Sequence, residues 1–260
     1  MQNQIKALIL DIDGVIWRNK EPIGDLRSLF QRIVARRINY AFATNNSTKT
    51  ISTYLHLLTG LGVPVTDQQL FTSGSVTANY LQHELKAGSE VFVIGMPGLK
   101  KTLINAGFTI GQQSPSAVVV GLDEQFTYGD IKIAVDLVRT GIPFIGTNPD
   151  VAIPTPAGLI PGTGSILAAI ETASGISPII IGKPKPTIFQ NAIKALKVSP
   201  SETLVVGDRL STDIAGGQSA GCRVGLVLSG VTNLVEAKKW RPTIDFIADD
   251  LTALIEEIHV

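Results

Sequence analysis

Ala7-Leu8-Ile9-Leu10-Asp11-Ile12-Asp13-Gly14-Val15 is an apolar run that ends in two acids spaced by one residue, followed by glycine. From Ile5 to Leu10 every residue but Lys6 is apolar, the pattern of a strand covered on both faces of a parallel sheet. Asp11 then falls at the carboxyl end of that strand, where open α/β sheets carry their chemistry. Asp13 lies just beyond, and Gly14 lets the chain turn sharply. Two carboxylates so close repel unless a positive charge holds them, most simply a hard dication with oxygen ligands. Taken alone, Asp-Gly is also an ordinary turn signal, so the rest of the chain has to decide.

Composition narrows the choice. The chain has 260 residues, enough for one large domain or two modest ones. Hydrophobic residues make up 44% and charged residues 17%, which excludes a disordered chain. Lys plus Arg and Asp plus Glu both number 22, and the sequence lacks a long basic run. A nucleic-acid polymer or an anionic membrane surface is therefore not an expected partner. Cys222 is the single cysteine, so an intrachain disulfide is impossible, a reducing compartment is expected, and the thiol reads as a small core residue. The N-terminal MQNQIKALIL lacks the long apolar segment of a signal peptide, and no stretch approaches a membrane span. The expected location is the cytoplasm.

Outward from the first motif, the chain alternates. Asp25 is placed to cap a helix whose apolar stripe is Leu26, Leu29, Phe30, Ile33 and Val34. Tyr40-Ala41-Phe42-Ala43-Thr44 reads as a second buried strand, ending in Asn45-Asn46-Ser47. A helix follows with Ile51, Tyr54, Leu55 and Leu58 on one face, then another from Ser73 or Ser75 to about Gly88. Repeated β-then-α order predicts a parallel sheet with right-handed crossovers.

Residues 89–177 read as a separate α/β unit inserted in this pattern. Its expected strands are Val91–Ile94, Ala117–Val120 and Pro143–Ile145, with helices near 99–106, 130–139 and 165–174 and a Pro- and Gly-rich loop between Gly146 and Gly164. The alternation then resumes: a strand at Pro178–Ile181 before Lys183, a helix at Thr187–Lys197, a strand at Thr203–Val206 before Gly207-Asp208, a short helix at Asp213–Ala220, and a strand at Val224–Leu228. The expected organisation is a core of residues 1–88 and 178–260, with residues 89–177 inserted.

Four strand ends thus carry polar groups: Asp11 and Asp13; Thr44, Asn45 and Asn46; Lys183; and Asp208 with Asp213. If these strands are neighbours in one sheet, the four sets converge at its carboxyl edge. Each set has a plain structural explanation as a turn, a cap or a solvated side chain. Together they are complementary: carboxylates for a metal, a cation and neutral donors for phosphate oxygens, and an in-line nucleophile, which is what phosphoryl transfer requires.

At this point the sequence resembles the haloacid dehalogenase superfamily. Asp11-Ile12-Asp13-Gly14-Val15 is similar to its first signature, Thr44-Asn45-Asn46-Ser47 to its second, Lys183 to its third, and Gly207-Asp208-Arg209-Leu210-Ser211-Thr212-Asp213 to its fourth. Gly121-Leu122-Asp123, Gly146-Thr147-Asn148-Pro149-Asp150 and Pro161-Gly162-Thr163-Gly164-Ser165 resemble the large cap of the subgroup that contains NagD-type and 4-nitrophenylphosphatase-like enzymes. The resemblance implies an α/β fold, a Rossmann-like parallel-sheet core with an inserted α/β cap. It implies Asp11 as nucleophile, Asp13 as acid and then base, and Thr44 and the Asn45 backbone as phosphate ligands. Lys183 would balance charge, and Mg²⁺ would be held by Asp11, the Asp13 carbonyl and Asp208. Asp213 would order Lys183 or a metal-bound water. Asn148, Asp150 and the Thr163-Gly164 loop are candidates for contacting or positioning substrate; turn chemistry explains them equally well.

The implied activity is Mg²⁺-dependent hydrolysis of a small phosphorylated metabolite, a sugar phosphate, nucleotide or similar monoester, through an aspartyl-phosphate. Alternatives are a phosphomutase, which shares the paired acids, and a non-catalytic phosphoacceptor or regulatory protein. Asp13 argues against C–halogen cleavage. Caps of the resembled subgroup often mediate dimers, so a homodimer through the cap is a resemblance-based expectation. His56, His83 and His259 show no pairing that suggests a zinc site.

Overall fold

The computed structural model of the chain describes residues 4–155 and 157–258; His259 lies outside them. Two compact units emerge. The first comprises residues 1–44, 52–71 and 183–260, and the second comprises residues 45–51 and 72–182. The boundaries expected from the sequence, after residues 88 and 177, fall inside the second unit.

The first unit is built on a six-stranded sheet. Its order is Phe246–Ala248, Arg223–Val227, Thr203–Gly207, Ala7–Leu10, Asn39–Thr44 and Leu70–Thr72. The last of these strands runs across the boundary between the units. Ala7–Leu10 is central and fully buried. It pairs in parallel with Thr203–Gly207 on one side and Asn39–Thr44 on the other, so Leu10 stands opposite both Val206 and Phe42. Burial on both faces explains its unbroken apolar sequence. The helix Leu26–Ala35 starts where Asp25 accepts a hydrogen bond from the Ser28 amide at 3.1 Å. It buries Leu26, Leu29, Phe30 and Ile33, and Phe30 meets Tyr40 edge-on at 5.0 Å and Phe42 at 5.8 Å. Val34, expected on the same stripe, is exposed.

The second unit has its own parallel sheet, in the order Ile179–Ile180, Phe144–Gly146, Val118–Val120, Glu90–Ile94 and Thr109–Ile110. The helices Tyr128–Arg139 and Thr163–Ser174 cover it, burying Ala134, Val138, Ile166, Leu167 and Ile170 against Phe92, Val118, Val120 and Phe144. The Pro- and Gly-rich stretch expected to be loop contains the hairpin Ala152–Thr155 and Gly158–Pro161.

One expectation is corrected here. The strand before Lys183 does not join the sheet that carries Asp11. Ile179 and Ile180 pair with Ile145 and Gly146 of the second unit, and the chain enters the first unit only at Lys183. Three adjacent strand ends of one sheet therefore carry the other candidates, and Lys183 follows on the segment after Gly182. The short helix expected at Asp213–Ala220 is also different: Leu210–Ile214 forms a single π-helical turn, followed by the helix Ala215–Ser219. Among the described residues, no helix is long and apolar enough to cross a membrane.

Candidate active site

Asp11, Thr44 and Asp208 stand at or just beyond the carboxyl ends of three adjacent strands of the first unit. The Asp11 amide donates to the Val206 carbonyl at 2.9 Å, which extends the ladder by one residue and fixes the Asp11 Cα. Lys183 then ties the acids together. Its Nζ donates to Asp11 Oδ1 at 2.6 Å, to Asp213 Oδ1 at 2.6 Å and to the Ala43 carbonyl at 2.9 Å. Lys183, Asp208 and Asp213 are almost wholly buried, and Asp11 is at the margin of burial.

Electrostatics follow from this packing. Burial raises the pKa of Asp11 well above the ordinary carboxylate range; Lys183 opposes the shift, and Asp213, Asp208 and Asp13 add to it. Burial alone would push the Lys183 ammonium down, but Asp11 and Asp213 outweigh it, and the net shift is upward. Lys183 is therefore a fixed positive charge at any physiological pH. Burial, reinforced by Asp213, pushes Asp208 up to about 6, against the opposing pull of Arg209, the Val231 amide and Lys183.

The acids differ in what they have left to offer. Asp213 is engaged on both oxygens: Oδ1 accepts from Lys183, and Oδ2 accepts from the Arg209 amide at 3.2 Å and the Thr212 hydroxyl at 3.3 Å. Asp208 Oδ2 accepts from the Val231 amide at 2.8 Å, whereas Asp208 Oδ1 is buried without a hydrogen-bond partner. A buried, orphaned carboxylate oxygen is costly unless a cation takes it up. Asp11, Asp208 and Asp213 each offer an oxygen within 4.8 Å of the others. The donor set, all hard oxygen, suits a divalent cation such as Mg²⁺. Two glycines shape this corner. Gly14 has φ +88°, and a Cβ there would lie 2.5 Å from Asp208 Oδ2. At Gly230 a Cβ would overlap the same carboxylate outright.

Asp13 leaves the sheet on a tight loop in which Val15, Ile16 and Trp17 all direct their amides to the Ile12 carbonyl. Its side chain is exposed, and its Oδ1 accepts from the Trp17 indole Nε1 at 2.8 Å. The sequence reading did not single out Trp17; an aromatic four residues after an acid carries no signal outside a helix.

The remaining candidates cluster in the second unit. Asn45 is held there from three sides. Its carbonyl accepts from the Ser73 hydroxyl at 2.6 Å and the Asn148 Nδ2 at 2.8 Å, and its own Nδ2 donates to Asp150 Oδ2 at 3.1 Å. Asn148 and Asp150 therefore shape the loop after Thr44. Thr163 is buried, and the Gly164 amide donates to the Asp150 carbonyl at 2.9 Å. At Gly162 and Gly164 a Cβ would run into the Pro149–Asp150 backbone, so this glycine pair lets the two loops approach. Cys222 is a buried free thiol pushed up to about 12 by burial, and His56 and His83 are exposed.

Comparison with known proteins agrees with these motifs. Residues 8–109 match the haloacid dehalogenase-like hydrolase family, and residues 180–254 match a second model of that hydrolase group. The 5'-nucleotidase YutF of Bacillus subtilis is 37% identical over 227 residues, 87% of this chain and 88% of that protein. An acid sugar phosphatase of Staphylococcus aureus is 36% identical over 259 residues, 98% of this chain and 99% of its own length. The chain belongs to the haloacid dehalogenase-like hydrolases. Among solved structures, the 4-nitrophenylphosphatase of Thermotoga maritima superposes with a TM-score of 0.92 at 32% identity, covering 98% of both chains. NagD of Escherichia coli superposes with a TM-score of 0.87 at 32% identity, covering 96% of this chain and 98% of its own. These likenesses place the chain in the NagD-like subgroup of the family, as the resemblance of its cap-like segments had implied.

Proposed function

We propose that this hydrolase is a Mg²⁺-dependent phosphatase acting on a small phosphomonoester through an aspartyl-phosphate on Asp11. The observation that carries the reading is the buried triad of Asp11, Lys183 and Asp208, in which Lys183 takes one oxygen of Asp11 and Asp208 Oδ1 is left unpartnered. The relatives' names fit: a nucleotidase, a sugar phosphatase and a nitrophenylphosphatase all cleave phosphate monoesters.

In this reading Asp11 attacks phosphorus, and the bond from phosphorus to the leaving oxygen breaks as that oxygen takes a proton from Asp13. Asp13, now ionised, takes a proton from a water whose oxygen attacks phosphorus, and the Asp11–phosphorus bond breaks. Phosphate and free Asp11 result, with Asp13 again protonated. Thr44 and the main chain at Asn45 serve the phosphate oxygens. Lys183 offsets the charge of nucleophile and phosphate, and Asp213 holds Lys183. Asp11, the Asp13 carbonyl and Asp208 would hold Mg²⁺, which supplies positive charge against the phosphate dianion. The same reading gives residues 89–177 the part of a cap, whose deletion is expected to impair substrate selectivity more than metal binding. It also expects a cytoplasmic homodimer.

The test is phosphate release from 4-nitrophenyl phosphate and from a panel of sugar phosphates and nucleotides, with Mg²⁺ and with EDTA, using wild type and Asp11→Asn. Mg²⁺-dependent release that the variant loses is expected. Near-normal turnover by Asp11→Asn would remove Asp11 as nucleophile. Isomerised sugar phosphate without free phosphate would instead identify a mutase.

A further inference from the structure

We infer that Trp17 is a positioning residue for Asp13: its indole N–H holds one carboxylate oxygen so that the other alone exchanges the proton with the leaving group. The inference rests on the acid–base part given to Asp13 above and extends it to a residue outside the four signatures.

Three observations carry it. The first is the hydrogen bond from Trp17 Nε1 to Asp13 Oδ1 at 2.8 Å. Indole nitrogen is a donor only, so it takes Oδ1 and leaves Oδ2 to face the leaving group. Asp13 is exposed, and an exposed carboxylate on a loop otherwise samples several rotamers. The second is that Trp17 is itself immobilised. It is 7% exposed, and its ring lies parallel to that of Tyr54, with centroids 6.3 Å apart and planes within 4°. Tyr54 is fully buried in the same unit and interacts with Thr44. The aromatic pair thus braces the acid–base residue against the wall that carries the phosphate donor.

The third observation is the loop itself. Gly14 N donates to the Trp17 carbonyl at 2.8 Å, and the Ser229 hydroxyl donates to the Gly14 carbonyl at 2.7 Å. Arg18 Nη2 donates to the Gly230 carbonyl at 2.9 Å. The segment that bears Asp13 and Trp17 is therefore pinned to the loop that confines Asp208. Packing alone does not require this: a phenylalanine at position 17 would fill the same slot against Tyr54 without a donor aimed at Asp13.

A residue that only packs and one that orients a general acid differ in leaving-group dependence. Protonation matters little when 4-nitrophenolate departs and much when a basic oxygen departs. The experiment measures kcat/KM across 4-nitrophenyl, phenyl and ethyl phosphate for wild type, Trp17→Phe, Asp13→Asn and the double variant. Asp13→Asn is expected to lose progressively more as the leaving oxygen becomes more basic, up to about 10²–10⁴-fold. Trp17→Phe is expected to steepen the series in the same sense by about tenfold, and to add nothing in the Asp13→Asn background. Should Trp17→Phe fail to fold, 3-benzothienylalanine at position 17 replaces the N–H by sulfur at nearly constant shape and is read in the same way. An equal loss on all three substrates, with Asp13→Asn still selective, would overturn the inference and leave the acid–base reading standing. A flat series for Asp13→Asn would overturn both.

Discussion

Lys183 Nζ lies 2.6 Å from Asp11 Oδ1, and both side chains are withdrawn from water. A second buried carboxylate, Asp213, is equally close. The ammonium between the two carboxyl groups offsets part of the cost of burying them. Removing one partner of such a pair leaves uncompensated charge and costs about 3–5 kcal/mol. Lys183→Met is therefore expected to lower the free energy of unfolding by that amount in EDTA at neutral pH, as read from urea denaturation, and to abolish turnover. Bound Mg²⁺ should restore part of the stability, because it would offset the charge on Asp11. A variant as stable as wild type in EDTA would mean that Lys183 offsets no buried charge there.

Asp208 gives a pH dependence of definite sign. Its carboxyl is pushed up to about 6 by burial and by Asp213, while in the unfolded chain it titrates near the ordinary aspartate value. Between those two values the native protein binds more protons than the unfolded one. The stability from this group is fully present below about pH 4 and is lost as pH rises through about 6, a loss of roughly 3 kcal/mol. Asp208→Asn cannot titrate there. In EDTA, the stability of wild type relative to Asp208→Asn is expected to fall between pH 4 and pH 7. Saturating Mg²⁺, which needs the ionised carboxylate, should reverse the trend. A flat difference in EDTA would show that Asp208 is already ionised at pH 4.

Much of the candidate site's placement was legible because it obeys the geometry of parallel sheets. Asp11, Thr44 and Asp208 each follow an apolar run, and adjacent strands bring them together. Lys183 was singled out for a partly mistaken reason. The strand before it belongs to the other sheet, and its side chain reaches Asp11 from a linker. Trp17 and Tyr54 were not legible as a pair, since only the folded loop at 12–17 turns the indole toward Asp13. Gly230 was invisible for another reason: its part is to be empty space beside Asp208, and sequence patterns register side chains rather than gaps. The hairpin at 152–161 was hidden by its prolines, which suit a two-stranded ribbon that is all edge.

Asn148 is expected to act on the second unit's stability through Asn45. Its Nδ2 donates to the Asn45 carbonyl at 2.8 Å, its Oδ1 accepts from the Asp150 amide at 3.1 Å, and the side chain is buried. Asn148→Ala removes both bonds and opens a small void, for an expected loss of about 1–3 kcal/mol. Asn148→Asp keeps the acceptor for Asp150 but sets an acid against the Asn45 carbonyl, and should be no more stable than the alanine variant. Thermal melts of the two variants check this. Wild-type stability in Asn148→Ala would mean that Ser73 alone holds the Asn45 carbonyl.

Gly230→Ala tests whether the orphaned oxygen of Asp208 is a metal ligand. A Cβ at position 230 would overlap the Asp208 carboxylate, so either the 229–231 loop or Asp208 must move. The loop is tied down by Ser229 to the Gly14 carbonyl, by Arg18 to the Gly230 carbonyl, and by the Val231 and Thr232 amides to Asp208 itself. With the loop so held, the side chain of Asp208 gives way, and its Oδ1 leaves the corner it shares with Asp11. The expected result is a loss of Mg²⁺ affinity of at least about tenfold, the scale on which displaced outer-shell support weakens metal sites, read by calorimetric titration of the metal-free protein. Fold should be retained, because the change is local and Asp208 gains access to water. Unchanged Mg²⁺ affinity with an intact fold would show that Asp208 does not bind the metal, and would move the ligand set to Asp11 and Asp213.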